Sequence, residues 1–314
     1  MAGPGSHQAH RSKSRIGYMN PYRFSIIIPT HNRPEQLTEC LMAIRSQDFP
    51  KDSVEIIVVD DGGDAPLEPI VRAFQNDLRL TLLRQDNTGP SGARNFGAAR
   101  AQGEYLAFID DDCLPDPSWL QTLAHRFETD PCCICGGKAV NALGGNLYST
   151  ATQLLADYLY ENYKPGENLG GFFPANNFAI LREIFVDIGG FDPTMRFGED
   201  RDFCYRLASQ GYRFAFAPEA LVYHFHVLNL FTLLQLHFSY GGGSFQFWKR
   251  RSSKRLGAVK LSPLSWYLDL ILSGVRKEKS ALGLLYTLLL VVIQGACTAG
   301  LFWELIKDSP SSRS

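Results

Sequence analysis

The sequence carries no surplus of charge of either sign, because 31 Lys and Arg residues balance 32 Asp and Glu residues. A net charge of −1 lacks the broad positive field that draws proteins to nucleic acid, so we expect no nucleic-acid partner. Seven cysteines in 314 residues are too few for a disulfide scaffold and suit a reducing compartment. A hydrophobic share of 45% excludes an intrinsically disordered chain.

Signals for metal binding and for secretion are also incomplete. Cys132 and Cys135 form a single C-x-x-C with no second pair and no His at ligand spacing, so we interpret this segment as a buried strand rather than a zinc site. Residues 1–22 are polar and basic. A signal peptide needs an apolar stretch after its charges, and no such stretch follows, so we expect a disordered basic tail.

Short apolar runs alternate with helical patterns from residue 24 to residue 129. This alternation, with nearly continuous apolar strands, predicts an α/β fold with a doubly wound parallel sheet. In such sheets ligands bind at the carboxyl ends of the strands. The predicted strands are 24–29, 54–59, 80–83 and 105–109, and the predicted helices are 34–47, 67–76, 91–102 and 117–129.

The pattern is less regular after residue 130 but still indicates an α/β domain, which we expect over residues 23–226. A basic, amphipathic, membrane-proximal region is expected over 227–279. The elements predicted in the second half of the domain are a strand at 132–140, a helix at 150–163, a strand at 172–180, a helix from Arg182, a helix from Gly198 to Gln210, and strands at 213–217 and 221–224.

Polar side chains follow each of the first four predicted strands. Thr30 and Asn32 follow the first, Asp60–Asp61 the second, Asn87 the third and Asp110–Asp112 the fourth. Three adjacent carboxylates repel one another unless a cation or water compensates their charge. Hard oxygen ligands suit Mg²⁺ or Mn²⁺, so the acidic triplet is a candidate metal site.

Five segments resemble glycosyltransferase family 2 in their order and spacing. They are FSIIIPTHNR, IIVVDDGG, NTGPSGARNFGAARAQGEYLAFIDDD, GGFDPTMRFGEDRDFCYRLASQGY and a closing VYH, and they span about residues 24–226. The resemblance implies a GT-A fold with a mixed doubly wound sheet, a nucleotide-sugar donor and inversion at the anomeric carbon. UDP is the expected nucleotide, from its frequency in the family, and GDP and dTDP are alternatives.

The donor site of the family matches the ends of the first four predicted strands. In the matched loop, small Gly92 permits close approach, and Arg94 can bind phosphate through two hydrogen bonds. The sequence leaves open whether Asp60 or Asp61 contacts the base. The residues that the resemblance assigns to the nucleotide-sugar are Thr30, Asn32, Asp60, Asp61, Asn87, Gly92, Arg94, Asp110 and Asp111.

The resemblance also implies a metal site and a catalytic base. Asp110 and Asp112 match the D-x-D motif that holds Mg²⁺ or Mn²⁺, and His224 matches a histidine that completes the metal site in some members. Asp200, within GEDRD, matches the base that takes a proton from the acceptor hydroxyl. Its like-charged neighbours Glu199 and Asp202 are expected to raise the pKa of Asp200. The alternative role for GEDRD is a helix start with acidic residues at the helix dipole.

The acceptor is expected beside the base. Asn176 and Asn177, with Glu199, fall where family members line the acceptor pocket, and the alternative for both asparagines is a structural strand-end amide. No Q-x-x-R-W follows GEDRD, and that motif marks the processive synthases of the family, so one sugar per encounter is expected. Two other functions stay open: an inert GT-A-like membrane scaffold, and a sugar-phosphate nucleotidyltransferase, which needs a Gly-rich loop where this chain has PTHNRPEQ.

The last part of the chain has the composition of a membrane segment. Residues 280–303 contain no charged side chain and are long enough to span a bilayer. Basic residues crowd the segment's N-terminal side, so the positive-inside rule predicts a cytoplasmic catalytic domain. The anchor and the basic clusters together favour a membrane-associated acceptor, which we expect to be a lipid, a lipid-linked saccharide or a cell-envelope glycan. A buried core helix or an interfacial helix is the alternative. Segments 228–238 and 261–275 are amphipathic, and 304–314 is expected to be a tail.

Overall fold

The computed structural model describes residues 21–130, 132–162, 171–253 and 263–309. The basic tail predicted over 1–22 therefore lies almost wholly outside the described residues, as do part of the basic membrane-proximal region and the end of the chain.

Strands and helices alternate in the first part of the domain, which confirms the predicted α/β pattern. Each predicted strand is present, with bounds that differ by a few residues. The elements are β1 (Tyr22–Thr30), α1 (Pro34–Arg45), a 3₁₀ turn (Lys51–Ser53), β2 (Val54–Asp61), α2 (Glu68–Phe74), β3 (Leu80–Gln85), α3 (Gly89–Ala98), β4 (Gly103–Phe108), β5 (Cys113–Pro115) and α4 (Trp119–Thr129).

The second part departs from the prediction at two strands. Instead of 172–180, only Phe178–Leu181 pairs in the sheet, because Pro174 lacks an N–H and its carbonyl accepts from the Asn177 N–H in a turn. The two strands expected at 213–217 and 221–224 are one strand. The elements are β6 (Ile134–Asn141), α5 (Leu147–Asn162), β7 (Phe178–Leu181), α6 (Arg182–Asp187), α7 (Glu199–Ser209), β8 (Phe214–His224), α8 (Leu230–Ser253), α9 (Leu264–Lys277) and α10 (Ala281–Asp308).

A β-bulge explains why β8 is continuous. Gly136 of β6 pairs with Phe216, and Lys138 pairs with Leu221, so the residues around Pro218 bulge out of the ladder. A proline is tolerated there because the bulge needs no N–H donor. The strand therefore continues to His224 and carries that side chain to the end of the sheet.

The sheet has eight strands in the order β3-β2-β1-β4-β7-β6-β8-β5. The first four strands are parallel to one another, whereas β7 is antiparallel to both β4 and β6. The sheet is therefore mixed, and the carboxyl ends of β1, β2 and β4 lie side by side. At the other edge β5 pairs with β8 in antiparallel register, with Cys113 opposite His224.

Both faces of the sheet are covered, as continuous apolar strands require. On β1, Ile26 and Ile28 belong to one buried cluster with α1 and α4, whereas Ile27 belongs to the cluster on the other face, with α3 and α6. Successive residues of a strand face opposite sides, so an uninterrupted apolar run forms only where helices cover both.

The last three helices pack against the domain rather than standing apart from it. Residues of α5, α8, α9 and α10, among them Leu154, Leu233, Leu270 and Leu290, form one buried cluster. Within the described residues, α10 is the one helix long and apolar enough to cross a membrane by length and composition, with a mean hydropathy of 1.9. It extends five residues beyond the predicted end of the apolar segment, to Asp308.

Candidate active site

Hydrogen bonds between side chains and backbone N–H groups hold the loops that follow β1 and β2. Asn32 has a left-handed conformation with φ 55°, which Asn tolerates better than most residues. Its Oδ1 accepts from the Asp64 N–H at 2.7 Å. Asp60 accepts from the Gly63 N–H at 2.8 Å and pairs with Arg84 at 3.1 Å. These contacts fix the two loops that were expected to hold the nucleotide.

Asp61 orders the loop between β3 and α3. Its Oδ1 accepts from the Thr88 N–H at 2.9 Å and from Gln85 Nε2 at 2.7 Å, and its Oδ2 accepts from the Gly89 N–H at 2.8 Å. Both oxygens are thus bonded to protein donors, and the side chain is buried. Asn87, in the same loop, is exposed, with its Nδ2 3.3 Å from His31 Nδ1.

Gly92 is required by packing inside α3. A Cβ at this position would collide with the Thr88 side chain. The structure thus supplies a reason for the glycine within the helix, in addition to the close approach of a nucleotide expected from the sequence.

The three aspartates that follow β4 have different partners. Asp110 accepts from Arg94 at 2.6 Å. Asp111 is buried and bonds both Thr30, at 2.7 Å, and Arg33, at 3.1 Å. Burial raises the pKa of Asp111 to about 6, against the opposing effects of Arg33 and Thr30. Asp111 therefore links the ends of β1 and β4. Its two carboxylate oxygens accept from Thr30 and Arg33, and these bonds do not support the predicted contact with the nucleotide-sugar.

Asp112 and His224 provide the candidate metal centre. Asp112 Oδ1 lies 3.3 Å from His224 Nε2, and Asp112 also pairs with Arg33 at 3.0 Å. Burial alone would raise the pKa of Asp112, but the His224 hydrogen bond and the nearby positive charges lower it to about 2. The β5–β8 register produces this contact, since the residue after Asp112 pairs with His224.

The donor set fits a divalent cation. Ligand atoms of Asp112, Cys113 and His224 all lie within 4.8 Å of one another. Burial raises the pKa of the Cys113 thiol, and sulfur is a soft donor that a hard ion does not prefer. A carboxylate and an imidazole suit Mn²⁺ and leave positions for oxygen atoms of a substrate. Asp110, the other aspartate predicted to bind the metal, is not part of this cluster, and its Oδ1 accepts from Arg94.

Arg94 connects the acidic triplet to α7. Its side chain is buried, with one terminal nitrogen bonded to Asp110 and the other to Glu199 at 3.1 Å. The Phe191 ring lies 5.7 Å away. The sequence predicted a phosphate contact for Arg94. In the structure both terminal nitrogens are bonded to carboxylates of the protein, and the phosphate contact stays a prediction.

The expected base lies in the first turn of α7. Gly198 precedes the helix with φ 79°, a conformation that a side chain would strain. Burial, and then the charge of Glu199, raise the pKa of Asp200 to about 7. Burial also raises the pKa of Glu199, against the opposing charge of Arg94. Asp200 thus stands at one end of a chain of charged groups that runs through Glu199 and Arg94 to Asp110.

The sequence of the chain is similar to those of known glycosyltransferases. The sequence model described as "Glycosyl transferase family 2" matches residues 25–196, more than half of the chain. The protein is a family 2 glycosyltransferase. The glycosyltransferase AglE of Haloferax volcanii is 28% identical over 254 residues, which cover 78% of this chain and 81% of AglE. The pre-mycofactocin glycosyltransferase of Mycobacterium tuberculosis is also 28% identical, over 86% of this chain and 56% of that relative.

Solved structures confirm the GT-A fold. The mannosyltransferase PcManGT from Pyrobaculum calidifontis, in complex with GDP-Man and Mn²⁺, superposes with a TM-score of 0.65 at 18% identity and covers 91% of this chain and 88% of its own. TarS 1-349 of S. aureus, in complex with UDP-GlcNAc, superposes with a TM-score of 0.55 at 19% identity, covering 91% of each chain. At these identities the likeness concerns the fold alone.

The two predicted acceptor asparagines have different surroundings in the glycosyltransferase. Asn177 is fully buried, accepts from Trp119 Nε1 at 2.8 Å and donates to the Ala220 carbonyl at 2.9 Å. Its amide therefore joins α4 to β8, and we correct its predicted role to a structural one. Asn176 is half-buried, and its Oδ1 lacks a partner among the described residues. The backbone of Ala175 bonds Asp200, so Asn176 follows a residue in contact with the predicted base.

Sequence reasoning missed Arg33 of the glycosyltransferase. This half-exposed side chain bonds both Asp111 and Asp112, so it neutralises part of the triplet's charge. Its position directly after Asn32, in the loop at the carboxyl end of the first strand, was a signal that could have identified it. The acidic triplet itself implied that a cation would lie nearby.

Proposed function

We propose that this glycosyltransferase transfers one sugar from a nucleotide-sugar to a hydroxyl of a membrane-associated acceptor, with inversion and with Mg²⁺ or Mn²⁺ as cofactor. The observation that carries the proposal is the arrangement of two groups: Asp112 beside His224 at one end of the site, and Asp200 with a raised pKa at the other. Between them, Arg94 pairs with Asp110, two residues before Asp112, and with Glu199, the neighbour of Asp200. A single displacement needs both, one for the leaving group and one for the nucleophile.

The base function of Asp200 follows from its environment. A carboxylate with a pKa of about 7 is partly ionised near neutral pH and accepts a proton more readily than an ordinary aspartate. In the reaction, the acceptor oxygen forms a bond to the anomeric carbon while its proton moves to Asp200. The bond from that carbon to the diphosphate breaks on the opposite face, so the configuration inverts.

The leaving group requires compensation of charge at the other end of the site. Asp112 and His224 would hold the metal ion, which when bound neutralises the charge that grows on the departing nucleoside diphosphate. Arg33, in contact with Asp112, adds a positive charge at the same place. The loops fixed by Asn32, Asp60 and Asp61 form the adjoining wall, and we propose that the nucleoside binds there.

The donor and acceptor are proposed from the relatives and from the surface. UDP is our first candidate, and GDP is the second because PcManGT is in complex with GDP-Man. TarS was solved with UDP-GlcNAc. The acceptor is proposed to be a lipid or lipid-linked saccharide on the cytoplasmic face, because the helices after the catalytic domain expose large apolar side chains.

Titration calorimetry of the full chain in detergent tests the donor site. UDP and GDP are titrated with Mn²⁺ and again with EDTA, for the wild type, Asp112→Asn and Asp187→Asn. Asp187 is an exposed carboxylate at the end of α6, so its variant controls for loss of charge. We expect one nucleotide to bind with Mn²⁺, at least tenfold more weakly in Asp112→Asn, and normally in Asp187→Asn. Binding unaffected by EDTA and by Asp112→Asn would contradict the metal site.

A further inference from the structure

Exposed apolar side chains are concentrated in the last three helices. Within the catalytic domain up to residue 226, the large apolar side chains that are exposed in the described residues are scattered: Met42, Val186, Phe197 and Tyr223. The others all follow residue 226. Single exposed apolar residues are ordinary on a soluble protein, whereas a large contiguous patch marks an interaction surface.

Each of the three helices exposes one apolar stripe. On α10 the exposed and buried positions repeat at helical spacing, so the helix has one face toward the protein and one toward the surroundings. We name the exposed stripes together the C-terminal apolar face. Its residues are Leu230, Phe231, Leu234 and Phe238 of α8, Leu264, Leu268 and Leu272 of α9, and Leu282, Leu284, Leu285, Leu288, Val291, Phe302, Trp303, Leu305 and Ile306 of α10.

The opposite face of α10 is packed closely against its neighbours. A Cβ on Gly300 would collide with the Phe238 carbonyl, and one on Gly241 with the Cys297 carbonyl. Gln246 donates to Glu304 at 2.9 Å. The contacts advance along both helices, from His237 with Cys297 through Gln246 with Glu304 to Lys249 with Asp308, so α8 and α10 run in the same direction.

Both halves of α10 are linked to the catalytic domain, the first half directly and the second half through α8. The first half, with Tyr286 and Leu290, packs in the same cluster as Leu154 and Tyr158 of α5. The second half packs on α8. The outer part of α8 in turn contacts the segment before α7 and α7 itself, where Phe247 packs with Met195 and Tyr205.

This packing conflicts with a helix that crosses the bilayer. A helix of 28 residues is about 42 Å long, and a spanning helix must leave the domain for about 30 Å of hydrocarbon. In that orientation α10 would draw α5 and α7 into the membrane, together with Glu199, Asp200 and Asp202. Charged groups at that depth cost several kcal/mol each. An orientation along the surface avoids this cost.

We propose that the C-terminal apolar face inserts into one leaflet of a bilayer with anionic headgroups, so that α8, α9 and α10 lie in the membrane plane and α10 does not span. Charge at the border of the face supports this occupant. Lys277 and Lys279 are exposed at the end of α9 and in the turn before α10, on either side of Glu278 and near exposed Leu282, while Arg276 pairs with Asp269. Trp303 is half-exposed, with Lys307 over its ring, as expected at a headgroup boundary.

This inference rests on the proposed function in one respect: membrane binding would bring the proposed base, Asp200, close to a lipid-linked acceptor. Neither the face nor its test depends on glycosyl transfer. If the face binds membranes and the protein transfers no sugar, the proposed function fails and this inference stands.

Flotation with lipid vesicles tests the surface. The purified full chain, with detergent removed, is mixed with vesicles of zwitterionic lipid alone or with added anionic lipid. The wild type, the double variant Leu284→Glu/Leu288→Glu and the control Met42→Glu are compared, Met42 being an exposed apolar residue of α1 outside the face. We expect stronger binding with anionic lipid and a loss of at least about tenfold in the double variant alone. Equal vesicle binding of the double variant and the control would overturn the proposal. The proposal would also be overturned if the double variant abolished self-association of the chain and left vesicle binding unchanged, because the face would then bind a second copy of the chain.

Cysteine labelling distinguishes the in-plane helix from a spanning one. Ser280→Cys and Ser309→Cys flank the two ends of α10, and each is introduced into a chain whose partly exposed Cys132 and Cys297 are replaced by serine. Each variant is labelled with a membrane-impermeant maleimide in sealed inverted vesicles from an expression host, and the chain without an added cysteine gives the background. The in-plane orientation predicts that both cysteines react from the outer side before detergent is added. Protection of Ser309→Cys until detergent is added would show a crossing and overturn the proposal.

Discussion

Replacing Asp200 with asparagine is expected to change activity and stability in opposite directions. The substitution removes the group that accepts the proton, so the transfer rate falls by at least about 100-fold. It also removes a carboxylate that is ionised in a buried place beside Glu199. The folded protein is therefore expected to become more stable, whereas most substitutions destabilise.

The size and the pH dependence of this gain follow from the pKa of Asp200. The pKa rises from 3.8 to about 7 on folding, and each pKa unit corresponds to about 1.4 kcal/mol, which sets an upper limit of about 4 kcal/mol. Below pH 4 the carboxyl is protonated in both folded and unfolded chains, so the variant has no advantage. Between pH 4 and pH 7 the unfolded chain ionises first, and the wild type loses stability progressively. Above pH 7 the difference is constant.

Thermal melts of wild type, Asp200→Asn and Asp187→Asn between pH 5 and pH 8 measure this effect. For a chain of this length about 1 kcal/mol corresponds to about 2 °C, so the melting temperature of Asp200→Asn is expected to exceed that of the wild type by several degrees, and by at most about 8 °C, at pH 8. The gap should be smaller at pH 5. A melting temperature of Asp200→Asn below that of the wild type at pH 8 would refute the assigned environment of Asp200.

Three further variants and one pH profile test other parts of the structure. The transfer rate of the wild type should fall about tenfold per pH unit below pH 7, as the coupled carboxylates protonate; a flat profile down to pH 5 would contradict the raised pKa. Arg94→Met should destabilise the protein by about 3–5 kcal/mol in denaturant melts, because it leaves buried carboxylates without a counter-charge; unchanged stability would contradict the ion pairs. Gly136→Ala should cost at least about 1–3 kcal/mol because its Cβ would meet the Phe173 ring, and an unaltered melting temperature would contradict that packing. Asn177→Ala should cost about 1–3 kcal/mol, through the unpaired Trp119 Nε1, while the Michaelis constant for the acceptor stays unchanged; a large rise in that constant would restore the predicted acceptor role.

The parallel half of the sheet was predictable because its signals are local. Continuous apolar runs, each followed by polar residues, indicated β1 to β4 and the edge at which Asp60, Asp61 and the acidic triplet meet. The mixed half was less predictable. Antiparallel β7 is only four residues long, and the Pro218 bulge that joins two predicted strands into β8 depends on pairing with β6.

The roles within the site depended on long-range contacts that a sequence pattern does not contain. Arg94 was expected to bind phosphate because it follows a helix start, but its partner Glu199 lies 105 residues further along the chain. Asn177 was expected in the acceptor pocket, but Trp119 and Ala220 take its amide. The sequence showed that α10 is apolar. It did not show which side of α10 packs against α8, because that depends on the close contacts of Gly241 and Gly300.

The central claim, sugar transfer from a nucleotide-sugar to a membrane lipid, is tested most directly by a labelled-donor assay. Radiolabelled UDP- and GDP-sugars are incubated with the full chain, Mn²⁺ and a membrane-lipid extract, and the label in the organic phase is counted with its anomeric configuration assigned by NMR. We predict label from one donor in a lipid product whose configuration is opposite to that of the donor, and none from Asp200→Asn. Absence of lipid-linked label from a protein that binds the nucleotide, or a product that retains the donor's configuration, would contradict the account.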